Sequence, residues 1–149
     1  MTLQRVLLVE PDGELRRQIG DAVGTLAHLD MDASFTAART RLFAHPYDWL
    51  ITNVRLEAFN GLHLVHLAGS ARLPVRILVY SDRPDLSLAR EAQRLGAFYE
   101  SCDCVHRAIA AYLRETLPLR DRRDPAVRDR RTLFRGGRRC TDSTTSVLQ

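Results

Sequence analysis

The feature that most constrains this chain is a repeated switch of hydrophobic period along residues 1 to 117. Short continuous apolar runs alternate with longer stretches in which apolar residues recur every three or four positions. Arg5 to Val9 (RVLLV) reads as a strand buried on both faces. Leu15, Ile19, Val23 and Leu26 then fall on one helical stripe, with Arg16, Arg17 and Asp21 outside it. A weaker strand at Met31 to Phe35 precedes a short helix at Thr36 to Ala44. Asp48 to Asn53 (DWLITN) is a third strand and Gly61 to Ser70 a third helix. Pro74 opens the fourth strand, Val75 to Tyr80 (VRILVY), and Pro84 to Leu95 is helical, stopping at Gly96 as a C-terminal cap. Ala97 to Tyr99 is a short fifth strand. Cys104 to Glu115, with Val105, Ile109 and Tyr112 on one face, is the fifth helix. Strands apolar on both faces, each followed by a helix, imply an α/β fold: a parallel sheet covered on both sides, with right-handed crossovers.

At 149 residues the chain has the size of one domain. The longest apolar runs fall far short of the ~20 residues needed to span a bilayer, so no membrane association is expected. Glu10 and Asp12 interrupt the first apolar run before it reaches the length of a secretory leader, and a cytoplasmic location is expected. Cys102, Cys104 and Cys140 are few and odd in number. A disulfide framework is not expected, and a reducing compartment fits. The net charge of +4 hides a division: residues 118–149 carry nine Arg against four Asp, and the rest carries thirteen Arg against fourteen acids. The body is therefore near neutral and the last 32 residues are basic, which divides the chain into a folded unit at 1–117 and an Arg-rich tail at 118–149. All 22 basic residues are arginine; the chain contains no lysine.

In an open parallel sheet, a site is expected outside the carboxyl ends of the strands. That places Glu10, Pro11 and Asp12, then Asn53, Ser81, and Cys102 or Asp103, on one rim. With those positions set out, residues 4–117 resemble the receiver domain of bacterial two-component response regulators. RVLLVEPDGELRR is similar to the opening strand with its acidic pair, and LITNVRLEAFNGLHLV to the segment around the phosphoacceptor. LVYSD resembles the switch Ser/Thr stretch, and RLGAFYESCD the Gly-Ala, aromatic and lysine stretch. Asn53 stands eight residues before Gly61, the spacing of the phosphoacceptor to its glycine. The resemblance implies a flavodoxin-like (βα)5 doubly wound sheet of strand order 2-1-3-4-5, with Ser81 and Tyr99 at the switch positions.

The chemistry of that family does not follow with the fold. Its acidic pair and phosphoacceptor aspartate hold magnesium, the aspartate attacks a phosphoryl group, and a lysine pairs with the product. Here the acidic pair is Glu10 and Pro11, the phosphoacceptor position is Asn53, and the lysine position is Asp103 or, with one residue deleted, Cys102. An amide nitrogen conjugated to its carbonyl has no lone pair with which to attack phosphorus. Each lost carboxylate removes on the order of 4 kcal/mol of attraction for each unit of cation charge at ~4 Å and an effective dielectric of ~20. Neither a cofactor nor a metal is expected, and no enzymatic constellation is present.

Other patterns carry less. Cys102, Cys104 and His106 form a C-x-C-x-H triplet, with Cys140 as a fourth ligand type, at spacing that does not define a metal site. His63 and His66 fall in the third helix without an assigned role, and Trp49 is expected in the core. The tail repeats RDRR at Arg120–Arg123 and Arg128–Arg131. Asp124, Pro125 and Gly136 bracket a helix that places Val127 and Phe134 on one face, with Arg130, Arg131, Arg138 and Arg139 as charged docking residues. The expected function is a phosphorylation-independent signalling adaptor of receiver type that binds a protein partner, or a second copy, through residues 84–115. The alternative is a nucleic-acid-binding regulator that uses the Arg-rich tail, with the body for dimerisation.

Overall fold

The computed structural model describes residues 2–115 and 117–120. In chain order the elements are β1 (Gln4–Val9), α1 (Gly13–Val23), β2 (Ala27–Asp32), α2 (Phe35–Ala44), β3 (Trp49–Asn53), β4 (Arg55–Leu56), β5 (Phe59–Asn60), α3 (Leu62–Ser70), β6 (Arg76–Ser81), α4 (Leu86–Arg94), β7 (Phe98–Ser101) and α5 (Cys102–Arg114). Five strands make one sheet in the order β2-β1-β3-β6-β7, and every pairing in it is parallel. With β6 and β7 as the fourth and fifth strands, this is the expected 2-1-3-4-5 order. A two-stranded antiparallel ribbon, β4 with β5, is an addition that the hydrophobic pattern did not show.

The period-2 alternation of the strands sorts the core into two layers. Leu7, Val9, Leu50, Ile77, Val79 and Tyr99 face the layer completed by α2, α3 and α4. Val6, Leu8, Trp49, Ile51, Leu78, Tyr80 and Phe98 face the layer completed by α1 and α5. Trp49 is buried, and its ring packs with those of Phe98 and Tyr112 in a three-ring cluster with centroid separations of 5.8, 6.0 and 5.7 Å. Because both faces of the central strands are covered, they carry no solvent side. That is the reason RVLLV and RILVY read as continuous apolar runs.

Three boundaries differ from the sequence reading, each for a local reason. β2 covers Ala27–Asp32 rather than Met31–Phe35, because its register with β1 runs from Gln4↔Ala27 to Val9↔Asp32. Its polar residues obscured it: Asp30 and Asp32 are neutralised by Arg5, Arg41 and the Tyr47 hydroxyl. α4 begins at Leu86, not Pro84, because the Asp85 side chain accepts the backbone N–H groups of Ser87 and Leu88. α5 begins at Cys102 directly after β7, so Cys102 and Asp103 lie in its first turn and not in a preceding loop.

Candidate functional site on the carboxyl rim of the sheet

The carboxyl ends of β1, β3 and β6 bring Glu10, Asn53 and Tyr80 together. Val9 pairs with Thr52, and Asn53 with Tyr80, so the residue after β1 lies beside the end of β3 and the end of β3 beside β6. Glu10 is 2% exposed. Its Oε2 accepts a hydrogen bond from Asn53 Nδ2 at 3.0 Å and another from the Tyr80 hydroxyl, and its Oε1 accepts the backbone N–H of Asp12 at 3.0 Å. A buried carboxylate is tolerated only when its lone pairs are engaged, and here three donors engage them. On the other side of Asn53, Oδ1 accepts the backbone N–H of Arg55 at 3.0 Å. Donor and acceptor ends of the amide are both used.

Asp12, placed by the sequence in an acidic pocket remnant, is turned elsewhere. It is exposed, and its Oδ1 accepts the N–H groups of Glu14 and Leu15 at 2.9 and 3.2 Å as the N-cap of α1. Pro11 is half-buried between these two acids. The guanidinium of Arg16, one turn into α1, donates to the Glu10 carbonyl at 2.8 Å. Among the described residues two acids are buried at this rim. The carboxylate of Glu10 is occupied by protein donors, and Glu100, near the end of β7 and paired in register with Tyr80, accepts the Tyr112 hydroxyl through Oε1 at 2.8 Å.

Gly61 explains the eight-residue spacing from Asn53. A Cβ at Gly61 would lie 2.1 Å from the Asn53 carbonyl oxygen, and the Gly61 N–H donates to Val54 O at 2.6 Å. The chain folds back onto itself there, leaving no room for any side chain. Between the two positions the ribbon of β4 and β5 makes the return, with Glu57 in the left-handed region at φ +57°.

The switch positions form a second cluster. Ser81 and Tyr99 hydroxyls hydrogen-bond to each other, and Ser81 Oγ donates to Arg83 O at 2.6 Å. The Tyr99 oxygen also accepts the Asp85 N–H at 3.1 Å. Tyr99 is buried, and burial pushes its phenol up, opposed by the bonds from Ser81 and Asp85. The phenol closes the loop leading into α4.

At the lysine position, Asp103 is exposed in the first turn of α5, where a negative charge complements the helix dipole. The side chain of Cys102 lies outside the described part. Cys104 is buried and disulfide-bonded, a cross-link that three cysteines in the sequence did not suggest. Among the described residues no three of His, Cys, Asp and Glu converge as a metal-ligand group. His63 and His66 are both exposed, His63 against the ring of Phe35. Val127, Arg130, Arg131, Phe134, Arg138, Arg139 and Cys140 lie outside the described residues, and with them the reading of the tail. No helix among the described residues is long and apolar enough to cross a membrane.

Sequence reasoning missed Tyr80 and the ribbon. Tyr80 looked like the last member of an apolar strand. The available signal was its hydroxyl, which requires a partner once the strand is buried on both faces. The ribbon was hidden because two-residue strands carry no measurable period.

No family model and no curated protein matches the sequence. Solved structures do. The signal receiver domain of a protein assigned as the response regulator NarL from Mycobacterium tuberculosis is 18% identical, with a TM-score of 0.68 over 78% of this chain and 100% of that one. The signal receiver domain of an HD domain-containing protein from Pseudomonas fluorescens Pf-5 is 19% identical, with a TM-score of 0.68 over 76% and 86%. The chemotaxis response regulator CheY4 of Vibrio cholerae is 15% identical, with a TM-score of 0.61 over 75% and 99%. The chain therefore has the flavodoxin-like fold of response-regulator receiver domains.

Proposed function

We propose that this chain is a phosphorylation-independent signalling adaptor of the receiver type, acting by protein-protein interaction through residues 84–115. One observation carries the reading: at the phosphoacceptor position stands an amide, Asn53, with its nitrogen spent on Glu10 and its oxygen on the Arg55 N–H. A receiver works by attack of a carboxylate oxygen on phosphorus, and Asn53 has no such oxygen. Glu10 remains as an acid, but its carboxylate is engaged by Asn53, Tyr80 and the Asp12 N–H, and Asp12 caps α1. The fold stays intact around this rim. What it offers a pathway is a shaped surface, and the segment from α4 through β7 to α5 contributes an exposed Leu86 and the exposed charged groups of Arg94, Asp103 and Arg107. Intact-mass measurement after incubation with acetyl phosphate tests the reading. No mass gain is expected; a gain of one phosphoryl group labile to hydroxylamine overturns it.

A further inference from the structure

We infer that Asn53 is a two-ended clamp: its amide ties the Glu10 carboxylate on the β1 side to the ribbon of β4 and β5, and so holds in place the exposed aromatic face that the ribbon carries. The inference rests on the reading above, in which this position takes no phosphoryl group, and gives the residue there a positive role. Nδ2 donates to Glu10 Oε2 and Oδ1 accepts from the Arg55 N–H, both at 3.0 Å. Arg55 is the first residue of β4. It pairs with Asn60, and Leu56 pairs with Phe59. The same base of the ribbon is held by two further bonds, Leu62 N–H to Asn60 Oδ1 at 2.8 Å and Gly61 N–H to Val54 O at 2.6 Å. So anchored, the ribbon lays Phe59 on Phe35 with ring centroids 4.7 Å apart and planes 11° from parallel, while Phe59 stays 48% exposed.

Serving both ends at once requires a donor and an acceptor on one short planar group, and an amide has both. An aspartate at this position keeps an acceptor for the Arg55 N–H but has no donor for Glu10. It also sets a second buried negative charge against the first, which favours retention of a proton by the pair. The charged and titratable groups around the contact include Glu100 on β7, buried in register beside Tyr80, with its Oε1 bonded by the Tyr112 hydroxyl. Tyr80 on β6 bonds the Glu10 carboxylate directly, whereas Arg16 on α1 bonds its carbonyl. Asp12 presents only its N–H to Glu10, and Asp32 at the end of β2 accepts the Glu10 N–H through its carbonyl while its carboxylate is held by Arg41. No described side-chain cation bonds the Glu10 carboxylate directly; the Arg16 guanidinium stops at the Glu10 carbonyl.

The test uses the full chain, with urea unfolding at pH 7 and pH 4.5 and amide exchange at Arg55. Asn53→Asp is expected to lower the midpoint at pH 7, and the gap to wild type is expected to narrow at pH 4.5, where a shared proton restores the missing donor. In Glu10→Gln/Asn53→Asp the donor and acceptor are exchanged across the same contact, and the midpoint at pH 7 is expected to rise above that of Asn53→Asp alone. Exchange at Arg55 is expected to quicken in Asn53→Ala and to stay slow in Asn53→Asp. An Asn53→Asp variant as stable as wild type at both pH values, or one that Glu10→Gln does not improve, overturns the clamp. Intact mass is read separately: phosphoryl gain by the wild-type chain overturns the proposed function, whereas the melts decide the clamp.

Discussion

The two rims of the sheet use similar chemical groups and put them to different use. On the carboxyl rim, Glu10, Asn53, Ser81 and Tyr99 are all buried and bonded in two cross-strand pairs, Glu10 with Asn53 and Ser81 with Tyr99. On the amino rim and the adjoining edge, Asp48 accepts the Arg5 N–H at 2.8 Å, Tyr47 donates to Asp30 at 2.6 Å, and the Arg5 guanidinium lies 5.1 Å from the Tyr47 ring centre. Residues 117–120 lie at this rim. Arg76 Nε donates to Leu117 O at 2.8 Å, and Arg120, lying against Gly96 and near Gly69, donates to Leu95 O at 3.4 Å. Arg5 and Asp30 remain 41% and 35% exposed in their ion pair. Water reaches the Arg5–Asp30 pair on the amino rim, whereas Glu10, Asn53, Ser81 and Tyr99 on the carboxyl rim are buried, so equal-looking bonds differ in what their loss costs.

That contrast can be broken in a graded series of substitutions. The largest effect is expected at Gly61→Ala on the carboxyl rim. The new methyl meets backbone, which cannot move aside as a side chain can, and a loss of ~3 kcal/mol or outright failure to fold is expected by urea titration. Next is Tyr80→Phe, which removes one donor from a buried carboxylate and should cost ~1.5 to 3 kcal/mol in the same titration. A loss under about 0.5 kcal/mol would show that water reaches Glu10 and that the rims are alike.

Alkaline unfolding sharpens the comparison through one tyrosine on each rim. Tyr99 is raised above the ordinary phenol value, and Tyr47 is pushed up to about 12, in both cases chiefly by burial. Each folded value lies above the unfolded value near 10, so the unfolded chain releases its protons first. Their contribution is fully present below pH ~10 and is lost as pH rises through the folded values. Stability is expected to fall above pH 10, and less steeply in Tyr99→Phe and Tyr47→Phe. A wild-type chain with flat stability from pH 9 to 12 would remove the argument. The smallest effect is expected at Arg120→Ala, an exposed contact on the amino rim, with a change within ~0.5 kcal/mol. A large loss there would mean that the segment 117–120 holds the body together.

How much was legible varied from element to element. The central strands β1, β3 and β6 could be read at once, because burial on both faces leaves a run of Val, Leu and Ile that few other structures need. The edge strand β2 could not: its Asp30 and Asp32 look like loop residues until Arg5, Arg41 and Tyr47 are seen to neutralise them. Of the site, Glu10, Asn53 and Ser81 were indicated by the convergence of strand ends in this topology, and Tyr99 by the family resemblance. The cap that Asp12 makes was not legible, since an acid three residues after a strand reads the same whether it lines a pocket or caps a helix.

By itself the sequence determined the parallel sheet with its two core layers, the absence of any lysine, and an amide where attack on phosphorus would need a carboxylate. These follow from local pattern and residue chemistry, which do not depend on what lies opposite. Only the tertiary structure decided that Asn53 bonds Glu10 and Arg55, that Tyr80 completes the carboxylate's donors, and that Ser81 and Tyr99 close on each other. Three of those contacts join residues 43, 70 and 18 positions apart, linking the end of β1 to β3, the end of β1 to β6, and β6 to β7. Hydrogen bonds between such partners are set by register and burial, quantities that exist only once the strands have been laid side by side.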